Sequence, residues 1–576
     1  MLTDKTSCNI IAETLCELGV SKAVVSPGSR NAPLILAFDN KIGAERITVV
    51  TDERSAAFIA MGMAQASGCA VALICTSGTA LLNYAPAVAE AYYQGIPLIV
   101  ISADRPQQWI DQDDSQTVRQ PGALDNFVKH SYDVPDCLMP GDEQLWYANR
   151  IANEAFLTAM RGKPGPVHIN VQLHAPLTSR GTALSPQRII EDVVPEPLID
   201  ESTIQRLSFS ADGANVLIIA GFGSHDVTLR DQSALRTAVL RNRNYWLLSE
   251  TLSGISPFFK VGIDTLITSL NETEKNALRP DLVITLGGAL VSRMVKQYLR
   301  DYPPRLGHWA VGLPSDILSD CFKCLSKRII AEPVRFITDL CRNVGPTTFT
   351  SDYQLMWNKV SQRAAARHSL YLQSLPWCDF TAMSMLFSSE GIRDYALQLS
   401  NGTPIRYAQL LAPGLKPQYC NRGVSGIDGS TSTAIGYALE SDAPTLLISG
   451  DMSLSYDLSG LASVKRLLTA GRFRIAVLNN GGGGIFRFVG TTSSLPEDKL
   501  SRYFCADPGL DFRSLAHALG ICHITASSSE EMHAALPQFF SNDSKPVLLE
   551  MRTDPDISAS ALREYFQRMT MPHRYE

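Results

Sequence analysis

Gly450-Asp451-Met452-Ser453 and Asn479-Asn480-Gly481-Gly482-Gly483-Gly484 decide the reading of this chain. Each follows directly on a short apolar run, residues 445–449 and 475–478, of a length that suits a buried strand. In open parallel sheets ligands gather beyond the carboxyl ends of strands near a topological switch point, so the two segments are expected together at one end of one sheet. Asp451 offers a carboxylate, Asn480 a side-chain carbonyl and Gly482 a backbone carbonyl. Magnesium takes about six hard oxygen ligands, some from phosphate or water, and this donor set suits a diphosphate held through a divalent cation. Asp451, Asn480 and Gly482 are therefore the expected metal ligands, with Gly450, Met452 and Ser453 lining the diphosphate. Glycines let the chain approach phosphate closely, and a helix starting after Ser453 would aim its amides at the diphosphate. A capping aspartate and a plain tight turn would need no ligand, but four consecutive glycines after two asparagines favour binding. Nucleotide sites fit less well: there is no GxxxxGK[ST], and Gly221-Phe222-Gly223 lacks the third glycine of the dinucleotide fingerprint.

Outward from these segments the chain keeps a strand–helix rhythm. Runs 23–25, 47–50, 71–75, 98–101 and 167–171 read as strands, with helical patterns at 32–38, 55–66 and 80–93. Such alternation predicts a parallel sheet with helices on both faces. Residues 178–210 lose the rhythm, with Pro195-Glu196-Pro197 inside a polar stretch that reads as a boundary. A second α/β stretch includes strands at 215–220 and 282–286, and the polar stretch 345–352 closes it. A long helix is predicted over 353–373, followed by strands at 445–449, 475–478 and 547–551. The expected architecture is α/β, with three domains at 1–185, 186–350 and 351–576, each a mainly parallel sheet flanked by helices.

Composition narrows the class of function. The chain has 576 residues, 45% hydrophobic and 19% charged, which is the balance of a globular protein with ample core. Its 51 basic and 57 acidic residues leave a net charge of -6, giving no electrostatic footprint for nucleic acid or an anionic membrane. No apolar run approaches the ~18–20 residues of a membrane span. Asp4, Glu13 and Glu17 interrupt the first apolar pattern, which reads as a helix rather than a signal peptide. The twelve cysteines are scattered and read as reduced thiols of a cytoplasmic protein. The one CxxC, at Cys321 and Cys324, has neither a second pair nor a nearby histidine to complete a metal site.

Asp451 with Asn479-Asn480 resembles the thiamine diphosphate signature of pyruvate-oxidase-like enzymes, and the three-domain order is similar to theirs: pyrimidine-binding, central and diphosphate-binding domains. With that cofactor, the chemistry needs a carboxyl group bonded to N1′ of the aminopyrimidine, so that the 4′-nitrogen can take a proton from the thiazolium. Glu53, in Thr51-Asp52-Glu53-Arg54 just after the strand at 47–50, meets that need; taken alone it reads equally as a helix-start acid favoured by the macrodipole. The superfamily places the site between two subunits, which implies a homodimer or homotetramer.

Further phrases sharpen the likeness: Ser26-Pro27-Gly28-Ser29-Arg30, Thr76-Ser77-Gly78-Thr79-Ala80, Ala103-Asp104-Arg105-Pro106, Arg119-Gln120-Pro121-Gly122 and residues 421–429 from Asn421 to Gly429. Together they resemble the 2-succinyl-5-enolpyruvyl-6-hydroxy-3-cyclohexene-1-carboxylate synthase family of menaquinone biosynthesis, the MenD family, over nearly the whole chain. The resemblance implies decarboxylation of 2-oxoglutarate and conjugate addition of the succinyl carbanion to isochorismate, with thiamine diphosphate and Mg2+ or Mn2+. Arg406 and Arg422 would hold the succinyl-side carboxylate. Arg30, Arg105 and Gln116, with Ser29 nearby, would hold isochorismate, and Arg293 and Thr403 would add substrate contacts. Gly28, Thr79, Asn83 and Ile485 would line the cofactor; Ile427 and Phe486 read equally as thiazolium walls and as plain core. Arginine's planar fork suits two dicarboxylate substrates, although a single arginine would read as a surface ion pair. The chain departs from the family in three places. In Ser400-Asn401-Gly402-Thr403, Gly402 stands where a hydroxyl is usual, with Thr403 next to it. Ser115 replaces an asparagine, and Arg293-Met294 replaces a Lys-Arg pair. The nearest alternative is another thiamine diphosphate-dependent 2-oxo acid decarboxylase or an acetolactate-type synthase, and a more distant one is a non-catalytic cofactor-binding paralogue.

Overall fold

Among the described residues of the computed structural model, the strands pair in parallel and fall into three sheets, with one isolated antiparallel bridge between Thr3 and Arg180 outside them. The structure describes residues 2–570 except 137–140, 182–186, 195–197, 224–227, 260, 316, 345–351, 412–417, 469–471 and 542–544. The first sheet holds β1 (Ala23–Val25), β2 (Ile47–Val49), β3 (Val71–Cys75), β4 (Leu98–Asp104), β5 (Ser131–Val134) and β6 (Val167–Gln172), in the order β2-β1-β3-β4-β6-β5. The second holds β7 (Val216–Ala220), β8 (Tyr245–Ser249), β9 (Leu282–Leu286), β10 (His308–Gly312) and β11 (Leu325–Ile330), ordered β11-β10-β9-β7-β8. The third holds β12 (Ala396–Leu399), β13 (Gln418–Cys420), β14 (Thr445–Gly450), β15 (Phe473–Asn479), β16 (Cys522–Ala526) and β17 (Val547–Arg552), ordered β13-β12-β14-β15-β17-β16.

The first and third sheets thus share one topology, the expected doubly covered parallel α/β architecture. Central strands such as β3, β4 and β14 are buried through nearly every residue, because helices cover both faces. The expected domain borders, 185/186 and 350/351, lie outside the described residues, as does Pro195-Glu196-Pro197.

The same topology puts a switch point in each of the two sheets. Between β1 and β3, and again between β12 and β14, the chain leaves neighbouring strands in opposite directions, and the carboxyl-end loops open a crevice there. Helices Glu53–Ser67 and Ser430–Glu440 lock the two halves together. Phe58, Ile59, Ala434, Ile435 and Leu447 belong to one apolar core. At the crossing, a Cβ on Gly62 would lie 2.1 Å from the Thr433 carbonyl oxygen, and one on Gly436 1.9 Å from that of Ile59. Only glycine permits the two backbones to come so close.

Candidate active site

β14 ends at Gly450, and the next residue, Asp451, begins helix Asp451–Tyr456 at the switch point of the third sheet. Asp451 is 3% exposed. Its Oδ1 accepts from the Met452 amide at 2.7 Å, and its Oδ2 from the amides of Asn480 at 3.1 Å and Gly482 at 2.8 Å. The loop can turn its amides inward because Gly481, Gly482 and Gly483 sit at φ +78°, +88° and +63°. Burial pushes the Asp451 carboxyl up to about 6, the three amides oppose it and Asp379 reinforces it. No cationic side chain is among these influences. Asn480 donates from Nδ2 to Asp379 at 2.8 Å, leaving its Oδ1 as the free acceptor end of the amide. Asp379 is itself buried and accepts from Thr553.

This donor set fits a hard divalent cation: one buried carboxylate without a cationic partner, one oriented amide oxygen and a glycine carbonyl. It also fits a diphosphate, since a Cβ on Gly450 or Gly481 would meet nothing within 4 Å, and the loops surround open space. Among the described residues no cluster of three or more His, Cys, Asp or Glu side chains forms a metal site, so any cation here depends on neutral oxygens as well.

Two neighbouring loops are tied to this centre. Ser400 Oγ accepts from the Gly450 amide at 3.2 Å, joining the ends of β12 and β14. Asn401 organises loop 421–429: its Nδ2 donates to the carbonyls of Asn421 (2.5 Å) and Gly426 (2.6 Å), and its Oδ1 accepts from Arg422 at 3.0 Å. Ser453 Oγ donates to the Ile427 carbonyl at 2.7 Å, and the Ile427 side chain remains 37% exposed. Ile485 and Phe486 lie half-buried in the turn Gly484–Arg487, with the Phe486 ring 5.5 Å from that of Phe504. The Arg406 guanidinium, on helix Thr403–Leu411, makes no hydrogen bond or ion pair among the described residues. Burial lowers its pKa, Arg293 and Arg422 lower it further, and Asp264 alone opposes them. Three arginines thus face one region where the second and third sheets meet. Arg293 is exposed at the start of helix Arg293–Asp301, and Thr403 is buried. Glu250, buried just beyond β8, fixes this region. It accepts from the amides of Val291 (2.8 Å) and Ser292 (2.7 Å) and from Gln409 Nε2 (3.3 Å), joining the helices that carry Arg293 and Arg406.

A second cluster forms at the switch point of the first sheet. Arg30 donates to the Leu173 carbonyl at 2.6 Å; burial lowers its pKa, with Arg105 the next cause. Arg105 pairs with Asp114 at 2.6 Å, and its Nε is buried with no hydrogen-bond partner among the described residues. Gln116, exposed and at φ +60°, donates to the Ser77 carbonyl at 3.3 Å. Gln120, whose own role the sequence left open, accepts from the Gly78 amide at 2.9 Å and so shapes the same loop. Gly28 lies where a Cβ would meet Thr76 at 2.5 Å. Ser29, Thr79 and Asn83 are exposed, and Asn83 donates to the Thr79 carbonyl. Glu53 is the first residue of helix Glu53–Ser67, whose cap Asp52 accepts from the amides of Arg54 and Ser55. It is half-buried and stands close enough to β3 that, after burial, its charge is the largest cause raising the Cys75 thiol.

Helices of the two clusters touch within the chain. Helix Glu53–Ser67 starts against the far end of helix Asp451–Tyr456: Arg54 donates to the Tyr456 carbonyl at 2.7 Å and Ser55 to Asp457 at 3.5 Å. Among the described residues no hydrogen bond or ion pair joins Glu53 to Asp451 or Asn480. Asp379 and Glu250 are not legible in the sequence because nothing local marks them. Asn401 lies beside Gly402 in a stretch the family likeness singles out, and its asparagine was the available signal.

Residues 5–123 match the model of the thiamine pyrophosphate enzyme N-terminal TPP binding domain, and residues 404–551 that of the C-terminal TPP binding domain. Similar proteins include the 2-succinyl-5-enolpyruvyl-6-hydroxy-3-cyclohexene-1-carboxylate synthase of Porphyromonas gingivalis, 37% identical over 98% of this chain and 97% of the relative. Those of Flavobacterium johnsoniae (35%, covering 97% and 99%) and Bacteroides thetaiotaomicron (33%, covering 99% and 100%) are similar over the same extent. With both cofactor-domain models falling on the two sheets of shared topology, and likeness running through the central sheet as well, this chain belongs to the thiamine diphosphate-dependent 2-succinyl-5-enolpyruvyl-6-hydroxy-3-cyclohexene-1-carboxylate synthase family.

Proposed function

We propose that this protein decarboxylates 2-oxoglutarate and adds the remaining succinyl unit in conjugate fashion to isochorismate, releasing one carbon dioxide and forming one carbon–carbon bond, in menaquinone biosynthesis. The observation that supports this reading best is end-to-end likeness to synthases named for this product, in a chain whose Asp451, Asn480 and Gly482 meet beyond the ends of two neighbouring strands. Thiamine diphosphate supplies the electron sink when bound. Asp451, Asn480 and Gly482 would hold Mg2+, or Mn2+, against its diphosphate, with Gly450, Met452 and Ser453 beside them. Glu53 would hold the proton on the pyrimidine nitrogen; Gly28, Thr79 and Asn83 would line that ring, and Ile427, Ile485 and Phe486 the thiazolium.

Arg406, Arg422, Arg293 and Thr403 would take the carboxylates of 2-oxoglutarate, since a region where three arginines converge favours dianions. Arg30, Arg105 and Gln116, with Ser29, would take isochorismate. Following the family likeness, we place the complete site between the first domain (1–185) of one copy and the third (351–576) of another, with 186–350 as the central domain. The working form is then a homodimer or a dimer of dimers. Among the described residues no helix is long and apolar enough to cross a membrane, and we assign the protein to the cytoplasm.

Mass spectrometry of the products from 2-oxoglutarate, isochorismate, cofactor and magnesium tests the proposal. The adduct is expected. Carbon dioxide release with no adduct at any isochorismate concentration would assign the protein to the simple decarboxylases instead.

A further inference from the structure

We propose that Glu90, on helix Thr79–Gln94 of the first domain, is a positioning residue that sets loop 421–429 and with it Arg422; this rests on the role given to Arg422 above. Glu90 is 2% exposed. Its two carboxylate oxygens accept from three consecutive backbone amides of the third domain: Gly423 at 2.5 Å, Val424 at 2.7 Å and Ser425 at 3.3 Å. The remaining bond comes from Gln94, one helical turn on, which also donates to the Cys420 carbonyl at 3.4 Å. No cationic side chain pairs with Glu90 among the described residues. A run of successive amides converging on one anion is a strong and directional arrangement.

The loop is shaped for this grip. A Cβ on Gly423 would lie 2.7 Å from the Glu90 carbonyl oxygen and 2.9 Å from its Oε1, so the backbone itself abuts the carboxylate. Ser425 is held at φ +69°, a conformation uncommon for a residue with a side chain. Asn401 grips the opposite side of the same loop and bonds Arg422 directly. Arg422 immediately precedes the three captured amides, and Ile427 follows two residues after them. Its accepting capacity beyond Gln94 is spent on the loop. A small change there is transmitted to the direction of the Arg422 fork, and bidentate recognition of a carboxylate tolerates little misalignment.

Steady-state kinetics of Glu90→Gln, with thermal melting, test the idea. The amide keeps one acceptor oxygen and turns an NH2 group toward at least one backbone N–H, so the loop must shift. We expect the KM for 2-oxoglutarate to rise about tenfold or more. The KM for isochorismate and kcat should each change less than about threefold. In an Arg422→Ala background the same substitution should add nothing to the KM for 2-oxoglutarate. A lower melting temperature with unchanged KM for both substrates would mark Glu90 as a mere domain clamp and overturn the proposal. If Glu90→Gln does not yield folded protein, Gln94→Ala, which removes one support of the carboxylate, should raise the same KM about threefold, and no change there overturns it. Should Arg422→Ala leave the 2-oxoglutarate requirement untouched, the role of Arg422 fails and this proposal with it. If Arg422→Ala raises that requirement while Glu90→Gln does not, the positioning role alone falls.

Discussion

Glu53 opens a helix whose cap is Asp52, and it lies half-buried within electrostatic reach of buried Cys75. Glu53→Gln is expected to leave cofactor affinity near normal while slowing hydrogen exchange at C2 of the bound cofactor by about a hundredfold or more. Proton exchange followed by NMR decides this, and near-normal exchange would remove Glu53 from its role. At this scale the sequence was most legible where chemistry is contiguous: Asp451 beside glycines, and Asn480 beside more of them, point to two loops that meet through close backbone approach, and they do meet. Residues that act through distance were not legible. Asp379 orients Asn480 from a different helix, and Glu90 grips a loop more than three hundred positions away, so neither has a neighbour in sequence that hints at its partner.

Several elements with both faces covered were easy to foresee from unbroken apolar runs, although buried β8 and β12 were not among them. β1, β3 and β9 form as expected, and the helix Tyr353–Gln373 occupies the predicted span. β11 and β13 were not foreseen for different reasons. The former is an edge strand in which Lys327 and Arg328 interrupt the apolar pattern, and the latter is only three residues long. The crossing of helices Glu53–Ser67 and Ser430–Glu440 was also hidden, since Gly62 and Gly436 look like ordinary helix glycines until their partner is known. Gly436→Ala should destabilise the protein by about 2–3 kcal/mol through overpacking against the Ile59 carbonyl. Gly490→Ala, where a Cβ meets nothing within 4 Å, serves as the control and should stay within ~0.5 kcal/mol. Equal midpoints of denaturant unfolding for the two variants would refute the tight crossing.

The joint between the second and third sheets is a property of the whole molecule, and Glu250 makes it sensitive to pH. Burial pushes this carboxyl up to about 7 from an ordinary value of 4.5; the amides of Ser292 and Val291 and the charge of Lys296 oppose the shift, while Asp264 adds to it. The folded protein therefore holds a proton that the unfolded chain releases, so the contribution of Glu250 to stability declines as pH rises from 4.5 to 7 and is level above that. Glu250→Gln cannot titrate. The stability of the native sequence relative to this variant should fall by about 1–3 kcal/mol between pH 5 and pH 8. Unfolding midpoints measured at both pH values check it, and a constant difference would contradict a buried, proton-retaining Glu250.

The shared strand order of the first and third sheets carries one more consequence. The bend after β3 and the bend after β14 are architecturally the same notch, yet in the former a Cβ on Gly78 would find Gln116 at 3.1 Å, whereas Gly450 in the latter looks onto vacant room. In one notch a loop of the same chain thus crowds the turn, while in the other the turn faces open space. Two sheets of identical wiring thereby offer unlike room at the same bend, and a diphosphate tail finds backbone clearance beside Gly450.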